Sequence, residues 1–342
     1  MKPVIKSINN FEPWYKSHPY LLAAGILAAV AIVVGVSLSL PRHKEVQISP
    51  EEQARIDSAA LHVALLPVHD CLPFYLAERC GLYERLGLDL RITTYQAQLD
   101  TDTALAFGHA EVAYSDIARA IMLQQDSIDV RAIAALPGEL QLITPRRGRV
   151  RKLNQLHEKM VAVSRHSITD YWSDRLTDSA GMARSDIFRP QINDLRIRTD
   201  MVCNNTMDAA FLPEPFASEA LLVAGNRNLS TRGLTPQLVV LLARREALAD
   251  PVRRRQIGLL QQGYDQAVAL ADSLPALRDS LAVILRSLCL TPDTLVDSLL
   301  RRLPRFQPLA PPRQTDVEAA MSWLRSRDKI KKGYKPDSLI TE

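Results

Sequence analysis

LHVALLPVHDCLPFYLAERCGLYERLGLDLRITTY, residues 61–95, reads as strand, helix, strand. Residues 61–67 have strand character, the polar VHDC forms a loop, and residues 72–87 carry apolar side chains at helical spacing with Pro73 early in the turn. LDLRITTY (88–95) then alternates like a second strand. Two strands joined through a helix of this length pair in parallel, and the helix covers one face of the sheet they start.

The pattern continues outward from that unit. In AQLDTDTALAFGHAEVAYSD (97–116), Thr101 or Asp102 is placed to cap a helix running to Gly108, and EVAYS (111–115) is a third strand. Residues 117–125 form another helix and VRAIAAL (130–136) a fourth strand. After a basic turn, MVAVSRHS (160–167) is a strand ending in polar residues, with a helix from about Ile168. DAAFLPEPFAS (208–218) is an apolar strand stopped at a Pro-Glu-Pro corner, where Pro213 and Pro215 hold Glu214 in a defined pose suited to a cleft wall. Residues 238–242 add one more apolar strand, and beyond Pro251 the chain is almost wholly helical, through 256–272, 274–288 and 316–327. Two α/β lobes with a cleft between them and a helical C-terminal tail are expected.

Before the folded part, YLLAAGILAAVAIVVGVSLSL (20–40) carries no charge and is long enough to cross the hydrocarbon layer as a helix. Lys2, Lys6 and Lys16 precede it, which favours a cytoplasmic N-terminus and an exported remainder, although Arg42, His43 and Lys44 weaken the bias. The reading is an uncleaved transmembrane anchor, with residues 1–19 as leader, 41–60 as stalk, 61–141 with 246–342 as the first lobe, and 142–245 as the second. Cys71, Cys80, Cys203 and Cys289 show no metal-ligand spacing and read mostly as buried thiols, with one disulfide open if the domain is exported. The net charge of +4 is spread over clusters such as RRGRVRK (146–152). No aromatic interleaving accompanies them, so solvated faces rather than nucleic-acid binding are expected.

The polar residues gather at strand ends, where an open parallel sheet places its ligand. Ser167 or Thr169, at a helix start, would offer N–H groups and a hydroxyl to an anion, or serve as a plain N-cap. A covalent triad from Cys71 or Ser167 with His69 or His166 lacks a G-x-S-x-G elbow or a cysteine-protease signature. His69, Asp70 and His166 are weak as a metal set, and no Gly-rich phosphate loop is present. No catalytic residue, metal or cofactor is therefore assigned.

Taken together, residues 61–92, ALAFGHAEVAYSD (104–116), VAVSRHS (161–167) and DAAFLPEPFAS resemble the substrate-binding proteins of ABC transporters in the nitrate, sulfonate, taurine and thiamine-precursor group. The resemblance implies a type 2 periplasmic binding-protein fold that closes on a small ligand, with ABC permease and ATPase subunits as partners and an extracytoplasmic, periplasmic location. Carried over by position, Val68, His69, Asp70 and Cys71, then Gln98, Leu99 and Asp100, then Ser115 and Asp116, then Ser164, Arg165, His166 and Ser167, and finally Glu214 and Pro215 would line the cleft. NNTM (204–207) stands where a glycine often precedes the aspartate, and a membrane span replaces the common lipidated or cleaved leader. Phe74, Tyr75, Tyr114, Tyr171, Trp172 and Phe216 lie near these loops as stacking candidates. An enzyme on the same scaffold, similar to thiamine-pyrimidine synthases or menaquinone-pathway enzymes, and a tethered ligand sensor are the alternatives.

Overall fold

The computed structural model describes residues 59–271, 275–336 and 338–340. The leader, the apolar run at 20–40 and nearly all of the stalk lie outside them, and among the described residues no helix is long and apolar enough to cross a membrane.

The chain enters a first sheet at β1 (Leu61–Leu65) and continues through α1 (Leu72–Arg79), the single turn α2 (Leu82–Arg85), β2 (Leu90–Thr94), α3 (Gln98–Ala106), β3 (Val112–Asp116), α4 (Ile117–Gln125) and β4 (Val130–Ala135). It then crosses into a second sheet made of β5 (Leu140–Pro145), β6 (Lys159–Ala162), β7 (Ile187–Phe188), β8 (Ala209–Pro213) and β9 (Gly225–Ser230). Helices α5 (Ile168–Ser179), α6 (Leu195–Cys203) and α7 (Phe216–Val223) join these strands. Strand β10 (Val239–Arg244) returns to the first sheet, and α8 (Arg245–Ala249), α9 (Pro251–Ala271), α10 (Pro275–Ser287), α11 (Asp293–Leu300) and α12 (Gln314–Ser326) follow. Each sheet with its helices is here called a lobe.

The first sheet has the order β2-β1-β3-β10-β4 and the second β7-β6-β8-β5-β9. In the first, β1 runs parallel to β2, with Leu61 opposite Leu90, and to β3, while β10 is antiparallel to both β3 and β4. In the second, β6 is parallel to β7 and β8, and β5 is antiparallel to β8 and β9. All five residues of β3 are buried, the pattern of strands covered on both faces.

Residues 136–139 and 231–238 are the two crossovers between sheets. The first is short because Gly138 takes φ +62°, and a Cβ there would lie 2.6 Å from Val239 Cγ2. Because β10 is hydrogen-bonded into the first sheet, the return to the first lobe falls at 231–238 rather than at the expected residue 245. Helices α9 and α10 pack on α1, and α12 packs on α4, so these belong to the first lobe, while α11 also touches α7 of the second.

Two local readings change, and the reading of the cysteines as thiols holds. Helix α3 starts at Gln98 with Ala97 at its N-cap, which puts Thr101 and Asp102 inside the helix and buried. Strands β5 and β9 went unread, the first because it adjoins the basic turn and the second because GNRNLS is a polar edge strand. All four cysteines are free, with Cys71 and Cys289 buried in the core.

Candidate functional site

The strand ends of the two sheets face each other across a small cavity of about 30 Å³, room for one or two waters. Leu66, Val68 and Tyr114 wall it from the first lobe, and Leu140, Leu195 and Pro213 wall it from the second. Ser164, Ser167, Thr169 and Asn193 supply its polar atoms. Towards solvent a second cavity of about 190 Å³ opens between Gln98, Leu99 and Arg119 on one side and Arg165, His166 and Gln191 on the other.

Asp116 organises the first-lobe wall. It ends β3 and caps α4, its Oδ1 accepting from Arg119 N at 2.9 Å. Its Oδ2 accepts from Gln98 Nε2 at 2.7 Å and, across the cleft, from Ile168 N at 3.0 Å. Burial pushes its carboxyl upward, opposed by these hydrogen bonds. Behind it, Asp102 accepts from Ser115 Oγ and from Arg119 Nε, the latter at 2.8 Å. Burial raises Asp102 to about 6 although Arg119 pulls the other way.

On the opposite wall, Ser167 is the N-cap of α5, its Oγ accepting from Thr169 N at 3.2 Å. The preceding turn is closed by Thr169 Oγ1, which accepts from Ser164 N, and by Asp170 Oδ2, which accepts from His166 N. His166 sits at φ +59° and its imidazole is pushed down, chiefly by burial. Arg198 is buried, but its guanidinium is spent on the carbonyls of Ile192, Asn193 and Phe211.

Further bonds hold the lobes shut. His69 N donates to the Glu214 carbonyl at 2.7 Å, and Leu195 N to the Gln96 carbonyl at 3.0 Å. On the outer side, Asp174 of α5 accepts from Trp323 Nε1 at 2.7 Å and from Arg327 Nη1 at 2.6 Å. Those two donors belong to α12 and the residue just beyond it, on the first lobe.

Of the residues expected in the site, Gln98, Asp116, Ser164, Arg165, His166 and Ser167 come together around these cavities, with Leu99 at the rim and Ser115 behind Asp116. His69, Asp70 and Glu214 gather instead at the crossover, in a small recess of about 10 Å³. There Asp70 Oδ2 accepts from Gly138 N, the ring of His69 stacks on Phe306 at 4.7 Å, and Glu214 binds Gln141 Nε2 and Ser218 N. Glu214 thus ends β8 as expected, but its carboxylate holds the start of α7 rather than facing the main cavity. Cys71 is fully buried in the first-lobe core and Asp100 is exposed; neither lines these cavities, nor does Pro215, whose peptide bond to Glu214 is cis.

Of the aromatic candidates, Tyr114 lines the cavity. Phe74 packs on Tyr264, Tyr171 sits edge-on to Trp172 and Trp323, and Phe216 lies under Arg196. The Tyr75 hydroxyl is held by the Leu66 carbonyl and by Thr94. Sequence reasoning missed Asn193 and Leu195. Asn193 accepts from Ser164 Oγ at 2.9 Å, and the Asn-Asp pair ahead of α6 was the available signal, since Asp194 is its N-cap.

Comparison with known proteins agrees with this arrangement. A family described as "NMT1/THI5 like" matches residues 69–213. No curated protein matches the chain. The alkanesulfonate-binding protein SsuA from Xanthomonas axonopodis pv. citri, bound to MOPS, superposes with a TM-score of 0.67 at 17% identity, covering 80% of this chain and 95% of its own. The periplasmic aliphatic sulphonate binding protein SsuA from Escherichia coli gives 0.68 at 16% identity, covering 83% and 92%. The periplasmic nitrate-binding protein NrtA from Synechocystis PCC 6803 gives 0.64 at 12% identity, covering 80% and 83%. Residues 69–213 are thus similar to the NMT1/THI5-like family, in a chain that shares the fold of these binding proteins.

Proposed function

We propose that this chain is the solute-binding component of an ABC import system, tethered to the membrane through residues 20–40 with its folded part on the extracytoplasmic side. The observation that carries the reading is a cavity built from the strand ends of both sheets, in a molecule whose lobes are joined by only two crossovers. Such lobes part about the crossovers and close again when a ligand bridges them. The bonds Asp116 to Ile168 and Leu195 to Gln96 are among the contacts that opening must break. A permease with its ATPase is the partner that would receive the solute. The buried Cys71 thiol is pushed well up by desolvation, which favours binding over covalent chemistry.

The test is a thermal-shift screen of the full chain, first unfolded and refolded to strip trapped ligand. A solute at a hundredfold excess over its Kd adds about 2.7 kcal/mol to the folded state. A selective rise in melting midpoint supports the reading. A flat response across sulfonates, nitrate, pyrimidines, amines and aromatic acids counts against it.

A further inference from the structure

The charge of the solute can be read from what already occupies the cleft. A receptor that takes an anion at a helix start must leave the N–H groups there unpaired. In this chain the first N–H of α5, from Ile168, is taken by the Asp116 carboxylate of the facing lobe, and the second, from Thr169, by Ser167 Oγ. An internal carboxylate sits where an external anion would bind.

The two arginines of the cleft walls nearest that helix end, Arg119 and Arg198, already have internal partners. Arg119 Nε is held by Asp102, and the Arg198 guanidinium is consumed by backbone carbonyls. Arg165 is exposed at the mouth, and His166 has its imidazole pushed down towards the neutral form. When the lobes part, Ile168 N withdraws and Asp116 Oδ2 keeps only Gln98 as a donor. Asp116, buried while it bridges to Ile168, then turns an acceptor to the open cleft on the wall that carries Leu66 and Val68, opposite Leu140 and Leu195. The Tyr114 phenol, which has no hydrogen-bond partner among the described residues, lines the same wall.

Resting on the receptor reading above, we infer that the cleft selects against anions and takes a solute with an apolar body and an N–H-bearing head, an amine above all. Asp116 is the residue that decides this choice. It binds the head directly when a solute is present and fills the helix start itself in the empty closed cleft.

The experiment is calorimetric titration of the refolded full chain with primary amines and sulfonates matched in body: methyl, butyl and benzyl. Wild type, Asp116→Ser and Asp116→Asn are compared. Serine and asparagine both cap helices well, so α4 keeps its start, and circular dichroism checks that each variant is folded. Wild type binds at least one amine and no matched sulfonate. Asp116→Ser, too short to reach Ile168 N, binds the sulfonate at least tenfold more tightly than wild type does and the amine at least tenfold more weakly. Sulfonate binding by wild type equal to that of Asp116→Ser overturns the inference, as does amine binding that neither substitution alters. If no compound of either series binds any of the folded proteins, the receptor reading falls and the inference with it, an outcome separate from an anion preference in wild type.

Discussion

Trp323→Phe combined with Arg327→Gln should release the outer clamp between the lobes while leaving both lobes folded. Trp323 Nε1 and Arg327 Nη1 each donate to Asp174 Oδ2, and Arg327 also lies 3.6 Å from Asp170. Asp174 keeps its own-lobe partners Arg184 and Arg189 after the change, whereas the buried Asp170 loses the Arg327 contact and keeps the His166 N–H on Oδ2. Hydrogen bonds to charged groups contribute about 1.5 to 3 kcal/mol each. The Arg327 side chain is 19% exposed, so the low end applies and the pair is worth about 3 kcal/mol. At about 1.4 kcal/mol per factor of ten, the closed-to-open ratio should fall roughly a hundredfold. Small-angle X-ray scattering reads the result as a larger radius of gyration in the double variant, and a tight-binding solute should restore the compact value. An unchanged radius with a melting midpoint lowered by the full amount would refute the reasoning, because the contact would then be ordinary packing within one rigid body.

Glu214→Ala should cost about 2 to 4 kcal/mol, since it orphans the Gln141 amide and Ser218 N–H; Glu214→Gln, which still accepts from Ser218 N, should cost less. Urea melts that rank the two variants the other way would remove the corner from the account. Asp102 is raised from 3.8 to about 6 by burial, so the folded state holds a proton that the unfolded chain has lost. Its contribution is therefore unfavourable to folding as pH rises from about 4 to about 6, by up to roughly 3 kcal/mol. Asp102→Asn should flatten that part of the stability profile, and parallel profiles for wild type and variant would contradict the assignment. At Gly263 of α9 an added Cβ would meet Tyr83 Cε1 at 2.2 Å. Gly263→Ala should therefore destabilise by about 1 to 3 kcal/mol despite the gain in helix propensity, and a raised melting midpoint would show that the ring moves aside freely.

What the amino-acid order determined is what short-range spacing encodes. Alternating apolar strands and amphipathic helices specify α/β lobes, and side chains that cap their own helix, such as Ser167 on α5, are legible because donor and acceptor lie within one turn. The Pro-Glu-Pro corner is legible for the same reason, as is the uncharged run at 20–40. Strand pairing is not local, so only the tertiary structure placed β10 between β3 and β4 and moved the lobe boundary. The same holds for the destination of each charge. Asp116 meets Ile168 across 52 positions and Asp174 meets Arg327 across 153. Arg198, an exposed-looking cation in LRIRTD, is turned inward onto three backbone carbonyls. Burying a charge is tolerated only where the fold supplies its partners, and those partners come from chain segments that no window of neighbouring residues contains.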